Sequence, residues 1–184
     1  MNMKKEIVCF FAVALTWIIF SFREGAESVG KIFPEIKGLT LSDEEKSIPL
    51  DAKGKFTLIA IAYSSDAEND LNTWLNPVYN KFVAKTGMMD SEMDVNIYFI
   101  PMFSGVNIAT AGTIKRRMKE EILKGAHKYV LFYKGEIAKY KKELGMEKKD
   151  TPYIFLLDKT GKIVYATSGN YTDKKLEAIE EKIE

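Results

Sequence analysis

Residues 58–75 read "LIAIAYSSDAENDLNTWL", and the character of the chain changes halfway along. Leu58 to Tyr63 is an unbroken apolar run of strand length, the pattern of a strand buried on both faces. Ser65-Asp66-Ala67-Glu68 then reads as a capping box, an N-cap hydroxyl followed three residues later by a carboxylate. From Leu71 the apolar residues fall at helical spacing through Trp74, Leu75, Val78, Tyr79, Phe82 and Val83, predicting a core-facing helix from about Asp66 to Thr86. Pro77 lies inside that stripe and is expected to kink the helix rather than end it, because the periodicity continues past it. A buried strand feeding a helix N-terminus is where α/β folds often place chemistry, since free N–H groups and the helix dipole favour an anion there. This turn, however, holds no cysteine, no histidine and no glycine-rich loop.

The rest of the chain organises around that unit. "GLTLSDEEKSIPLDAKGK" (38–55) predicts two short extended pieces near Leu39–Leu41 and Ile48–Leu50, with a Lys-Gly-Lys turn after them. "VNIYFIPMF" (95–103) is a second buried strand, and "AGTIKRRMKEEILKG" (111–125) a surface helix ending at Gly125. "KYVLFYK" (128–134) is a third extended run and "EIAKYKKELGM" (136–146) a short helix. "YIFLLDKTGKIVYATSG" (153–169) is a hairpin turning at Asp158–Gly161. A last helix starts near Thr172 and buries Leu176, Ile179 and Ile183. The order β-β, β-α-β, α-β-α, β-β-α predicts an α/β domain with a mixed central sheet.

The bulk numbers narrow the function. The chain has 184 residues, 46% apolar and 29% charged, enough for one domain with a real core. A formal net charge of +1 gives no global attraction to nucleic acid. One cysteine, Cys9, excludes an intramolecular disulfide, and one histidine, His127, removes most familiar metal and nucleophile sets.

The N-terminus is the exception to a soluble chain. Lys4 and Lys5 precede an apolar run, "IVCFFAVALTWIIFSF", from Ile7 to Phe22. This is the pattern of a segment directed to a membrane, and the lysines predict that the domain lies on the extracytoplasmic (periplasmic) side. No A-x-A cleavage pattern follows. An uncleaved hydrophobic anchor helix is expected, with a cleaved signal peptide as the alternative. Residues 1–26 are thus the anchor or signal, 27–37 a polar linker and 38–184 the domain.

The order of elements, with "IPLDAKGKFTLIAIAYSS" and "DTPYIFLLDKTGKIVYATSG", resembles the thioredoxin-like superfamily in its redoxin and membrane-tethered thiol–disulfide oxidoreductase forms. The resemblance implies a three-layer α/β/α sandwich in which Pro152, preceded by Thr151, is a cis-proline facing the active-site turn. It also places the family's Cys-x-x-Cys within residues 66 to 70, which here read Asp66, Ala67, Glu68, Asn69 and Asp70. Thiol–disulfide exchange requires a thiolate, so the family's redox chemistry has no catalytic residue here and implies no cofactor. "FSGVNIATAGTIKRRMKEEILKGAHKYVLFYKGE", followed by "ELGMEKKDTPYIFLLDKTGKIVYATSG", is in part similar to the mitochondrial ATP synthase assembly factors with a thioredoxin-like domain, which also lack the cysteine pair.

The expected function is therefore that of a redox-inactive binding or assembly factor for a protein client. Tyr63, Ser64, Ser65, Asp66, Thr151 and Pro152 would line a shallow apolar groove open to an extended peptide. The alternative is an oxidoreductase or peroxidase-like redoxin that depends on a partner's cysteines. Other patterns carry less. His127 is expected to cap a loop, "KRRMK" (115–119) to be a solvated face, and the methionines of "GMMDSEMD" (87–94) to fill gaps rather than bind Cu(I).

Overall fold

The computed structural model describes residues 26–84 and 93–183. The anchor expected over residues 7–22 and most of the methionine-rich segment lie outside them. Seven strands form one sheet: β1 Ile36–Thr40, β2 Glu45–Ile48, β3 Phe56–Ala62, β4 Val95–Phe103, β5 Leu131–Lys134, β6 Tyr153–Leu157 and β7 Ile163–Ser168. Among the described residues four α-helices accompany them: α1 Ser65–Tyr79, α2 Ala111–Glu121, α3 Ala138–Leu144 and α4 Asp173–Glu180. The strand order is β2-β1-β5-β4-β3-β6-β7. Strands β3, β4 and β5 run parallel, and the other neighbours are antiparallel. The element order and the mixed sheet are those read from the sequence.

Strand β3 is central because its sequence suits two buried faces. Leu58, Ala60 and Ala62 point into the core shared with Leu71, Trp74 and Val78 of α1 and Leu176 and Ile179 of α4. Ile59, Ile61 and Tyr63 alternate to the other face, among Phe155, Tyr140 and Leu144. Helices thus cover both faces, α1 and α4 on one and α3 on the other, giving the three layers.

Several boundaries move, each for a reason lying elsewhere in the chain. Helix α1 stays helical past Pro77, but its α-geometry ends at Tyr79 and residues Asn80–Ala84 wind as a wider π turn. Pro77 supplies no N–H to the turn before it, and the Asn80 N–H is shared between the carbonyls of Asn76 and Pro77. Helix α2 stops at Glu121, four residues before Gly125, because Ile122 turns to an extended conformation. The buried His127 ring holds the Ile122 carbonyl at 2.8 Å, and residues Lys124–Tyr129 form a 3₁₀ turn that shortens β5. Helix α3 ends two residues earlier than expected, at Leu144, where Gly145 takes φ +66°.

Residues 27–37 are not a free linker. Phe33 and Ser28 are fully buried, and β1 begins at Ile36. The Gly30 N–H donates to the Ile163 carbonyl (2.8 Å), the Ile163 N–H to Lys31 (2.9 Å) and the Phe33 N–H to Gly161 (2.9 Å). This segment therefore closes the start of β7.

Candidate functional site

The turn from β3 into α1 is built by a serine one residue earlier than the sequence pattern indicates. Ser64, at φ −147° and ψ 163°, is the N-cap, and its Oγ accepts the Ala67 N–H at 3.1 Å. Its hydroxyl also donates to the carbonyl of Lys149 at 3.0 Å, 85 residues away. That second bond holds Ser64 extended and makes Ser65 the first helical residue. Glu68 then sits one position past the reach of a capping box. It is half-buried, and burial pushes its carboxyl up against the opposing pull of Arg117.

Tyr63 does not line a cleft. It is 6% exposed, with its ring stacked on Tyr153 at 6.5 Å and 10°. Its hydroxyl lies 2.8 Å from the carbonyls of both Met146 and Lys148. The Tyr153 hydroxyl accepts the Lys148 N–H at 2.7 Å and donates to the Lys148 carbonyl at 3.1 Å. Three hydroxyls thus staple residues 146–149 across the turn. The space where an extended peptide was expected to pair is filled by the chain's own loop, whose polar groups are already satisfied.

Pro152 is buried as well, and its carbonyl accepts the Gly169 N–H at 2.9 Å. The bond before it is not the cis peptide expected. Among the described residues the cis bond is Ile48–Pro49. Of the six expected groove residues, Ser65 and Asp66 are exposed and Ser64 and Thr151 half-exposed, while Tyr63 and Pro152 belong to the core.

The opposite flank of the turn is fixed too. Trp74 Nε1 donates to the Gly169 carbonyl at 2.9 Å, and its ring meets Tyr171 edge-on at 5.5 Å. The Asn170 amide, its nitrogen facing the carboxylate, donates to Asp70 at 2.8 Å. The Lys175 ammonium bonds the carbonyls of Ser168 (2.8 Å) and Asn170 (2.6 Å). What remains at the surface is an acidic helix start without a thiol. Among the described residues no group of three or more His, Cys, Asp or Glu is placed to hold a metal.

A different surface offers apolar contact. Leu75, Tyr79 and Val83 on the α1 side face Ile122, Leu123 and Tyr129 across a groove of about 250 Å³. Leu123 is 79% exposed. Sequence periodicity assigns Ile122 to the helix stripe and cannot find this groove, because α2 was expected to continue to Gly125.

The family described as ATP10 protein matches residues 26–183 of the chain. No curated protein sequence matches it. Among solved structures, the exposed lipoprotein thioredoxin Etrx1 of Streptococcus pneumoniae superposes with a TM-score of 0.53 at 14% identity, covering 80% of this chain and 99% of that one. The thioredoxin domain of a thiol-disulfide oxidoreductase from Bacteroides vulgatus gives 0.51 at 21% identity, over 85% and 98%. A DsbF homologue from Corynebacterium diphtheriae gives 0.54 at 15%, over 82% and 85%. At these identities the likeness is one of fold, and the fold is thioredoxin-like.

Proposed function

The chain belongs to the ATP10 protein family of ATP synthase assembly factors, and from that premise we propose that it is a redox-inactive, membrane-anchored factor that holds a component of that complex during assembly. The observation that carries the reading is the turn itself. Where thioredoxin-like oxidoreductases keep two cysteines, this chain has carboxylates and an amide, and its own loop is bonded across the site. A thiolate attack needs both a sulfur and room for a substrate disulfide. The turn carries no sulfur, which supports the reading.

The anchor is residues 7–22, and the lysines before it favour an extracytoplasmic domain. A domain on that side meets only those parts of a client exposed there, which favours a membrane-embedded component. The apolar groove of Leu75, Tyr79, Val83, Ile122, Leu123 and Tyr129 suits such a client better than the stapled turn does, because a contact surface needs a centre that can be desolvated. The test is photo-crosslinking from membranes with a reactive residue at position 123 or 65. A crosslink to an ATP synthase component from position 123, and none from 65, is the result expected. Crosslinks only from position 65 would return the client site to the turn.

A further inference from the structure

We infer that one end of the folded domain, around the β6–β7 turn, is a docking face for an anionic bilayer surface. The end in question is opposite the Ser64 turn along β3, a separation of about 20 Å for a seven-residue strand. Its pieces are joined by backbone bonds. Residues 30–33 bond Ile163 and Gly161, the Gly54 N–H donates to the Lys159 carbonyl at 2.9 Å, and Gly161 packs on Pro49. This joined surface exposes apolar side chains that the fold has no use for: Ile32 is 63% exposed, Leu50 54% and Val29 less so.

Lysines surround them. Lys31, Lys53, Lys159 and Lys162 are all exposed, and Lys55 beside them is paired with Asp94 at 2.7 Å. Of the nearby acids, Asp158 is occupied by the N–H groups of Thr160 and Lys162, and Asp51 accepts the Ser47 N–H. Glu35, beside Pro49 through the β1–β2 pairing, accepts the Ser47 hydroxyl and pairs with Lys37, and Glu27 is exposed on the segment before Val29. Exposed aliphatic residues ringed by lysines have the chemistry that partitions into an anionic headgroup layer.

The chain outside the described residues says what covers this face. The apolar run ends at Phe22, and Gly30 is already bonded to β7. Three intervening residues, a 3₁₀ turn at Ala26–Ser28 and two more residues span at most about 25 Å. An anchor of residues 7–22, on which this inference rests, therefore holds this end of the domain near the headgroups and leaves the Ser64 turn facing away.

The test uses the full chain in vesicles, with Cys9→Ser and one environment-sensitive fluorophore on Ile32→Cys or on Ser65→Cys. In vesicles containing roughly 30% phosphatidylglycerol, the probe at 32 should be quenched from water about threefold less than in phosphatidylcholine alone. The probe at 65 should be equally quenchable in both. Lys53→Glu with Lys159→Glu and Lys162→Glu should return position 32 to its behaviour in neutral lipid. Equal access at 32 in both lipids would overturn the proposal. So would shielding that ignores lipid charge and falls as protein per vesicle is reduced, which would mark a second copy as the cover. Failure to float with either vesicle would defeat the anchor reading as well, so the two failures are distinguishable.

Discussion

Tyr63 and Tyr153 stack with ring centroids 6.5 Å apart, and their hydroxyls meet at the same residue, Lys148. One hydroxyl lies at its carbonyl and the other at its N–H. The pair does in tertiary structure what a neighbouring strand would do for that peptide, and it ties the loop across the turn from β3 into α1.

Deleting either hydroxyl should therefore destabilise the domain. Tyr63→Phe removes the hydroxyl that reaches the carbonyls of Met146 and Lys148, and Tyr153→Phe removes the oxygen that accepts the Lys148 N–H. Each is expected to cost about 1–3 kcal/mol. The double variant should cost less than the sum, because both act on one loop. Urea unfolding of the four proteins measures the coupling, and strict additivity would mean that the loop is not held as one unit.

Thiol chemistry should be absent. The single cysteine, Cys9, lies within the apolar run, 57 positions before the turn at Asp66. Insulin reduction and peroxide consumption by the full chain in detergent should both stay at the buffer rate, and Cys9→Ser should change neither. Turnover that persists in Cys9→Ser would require a contaminant or an unforeseen chemistry. Turnover abolished by it would contradict the redox-inactive reading.

The contrast between Trp74 and Leu123 separates the core from the groove. Trp74 is fully buried on α1 and bonds Gly169, so Trp74→Ala should cost about 3–5 kcal/mol. Leu123→Ser alters an exposed side chain and should shift stability by no more than about 0.5 kcal/mol. Yet it should weaken retention of the client from solubilised membranes. Equal retention by Leu123→Ser and the parent chain would remove the groove from the proposed function.

The element order was legible where a strand is an apolar run, as β3, β4 and β6 are, because run length and composition are local properties. What escaped the sequence depends on partners far along the chain. Ser64 outcompetes Ser65 as the cap because Lys149 accepts its hydroxyl. Helix α2 stops early because His127 holds the Ile122 carbonyl. The thioredoxin-like resemblance placed Tyr63 on the groove, and the distant loop at 146–148, which takes its hydroxyl, could not be read from the local sequence. Residues 27–37 are polar enough to read as a linker, but their backbone bonds Gly161 and Ile163.

Acid should act on two carboxylates in opposite directions. Asp43 accepts hydrogen bonds from the Lys115 and Lys119 ammonium groups, which hold its carboxyl down at about 2, below its ordinary 3.8. A lowered folded-state value stabilises the fold above the ordinary value, and that contribution is lost as pH falls from about 3.8 towards about 2. Because Asp43 is exposed, Asp43→Asn should lower the melting temperature only slightly at neutral pH, and less in high salt. Glu68 behaves in reverse. Burial raises its carboxyl above 4.5, so the charged form weighs against folding and stability falls as pH rises through the raised value. Glu68→Gln should therefore raise the melting temperature at neutral pH, with the gain vanishing below pH 4.5. Melting curves of the parent and both variants across that range test the signs together. A Glu68→Gln protein that melts lower at neutral pH would show that the helix dipole and Arg117 outweigh burial at this turn.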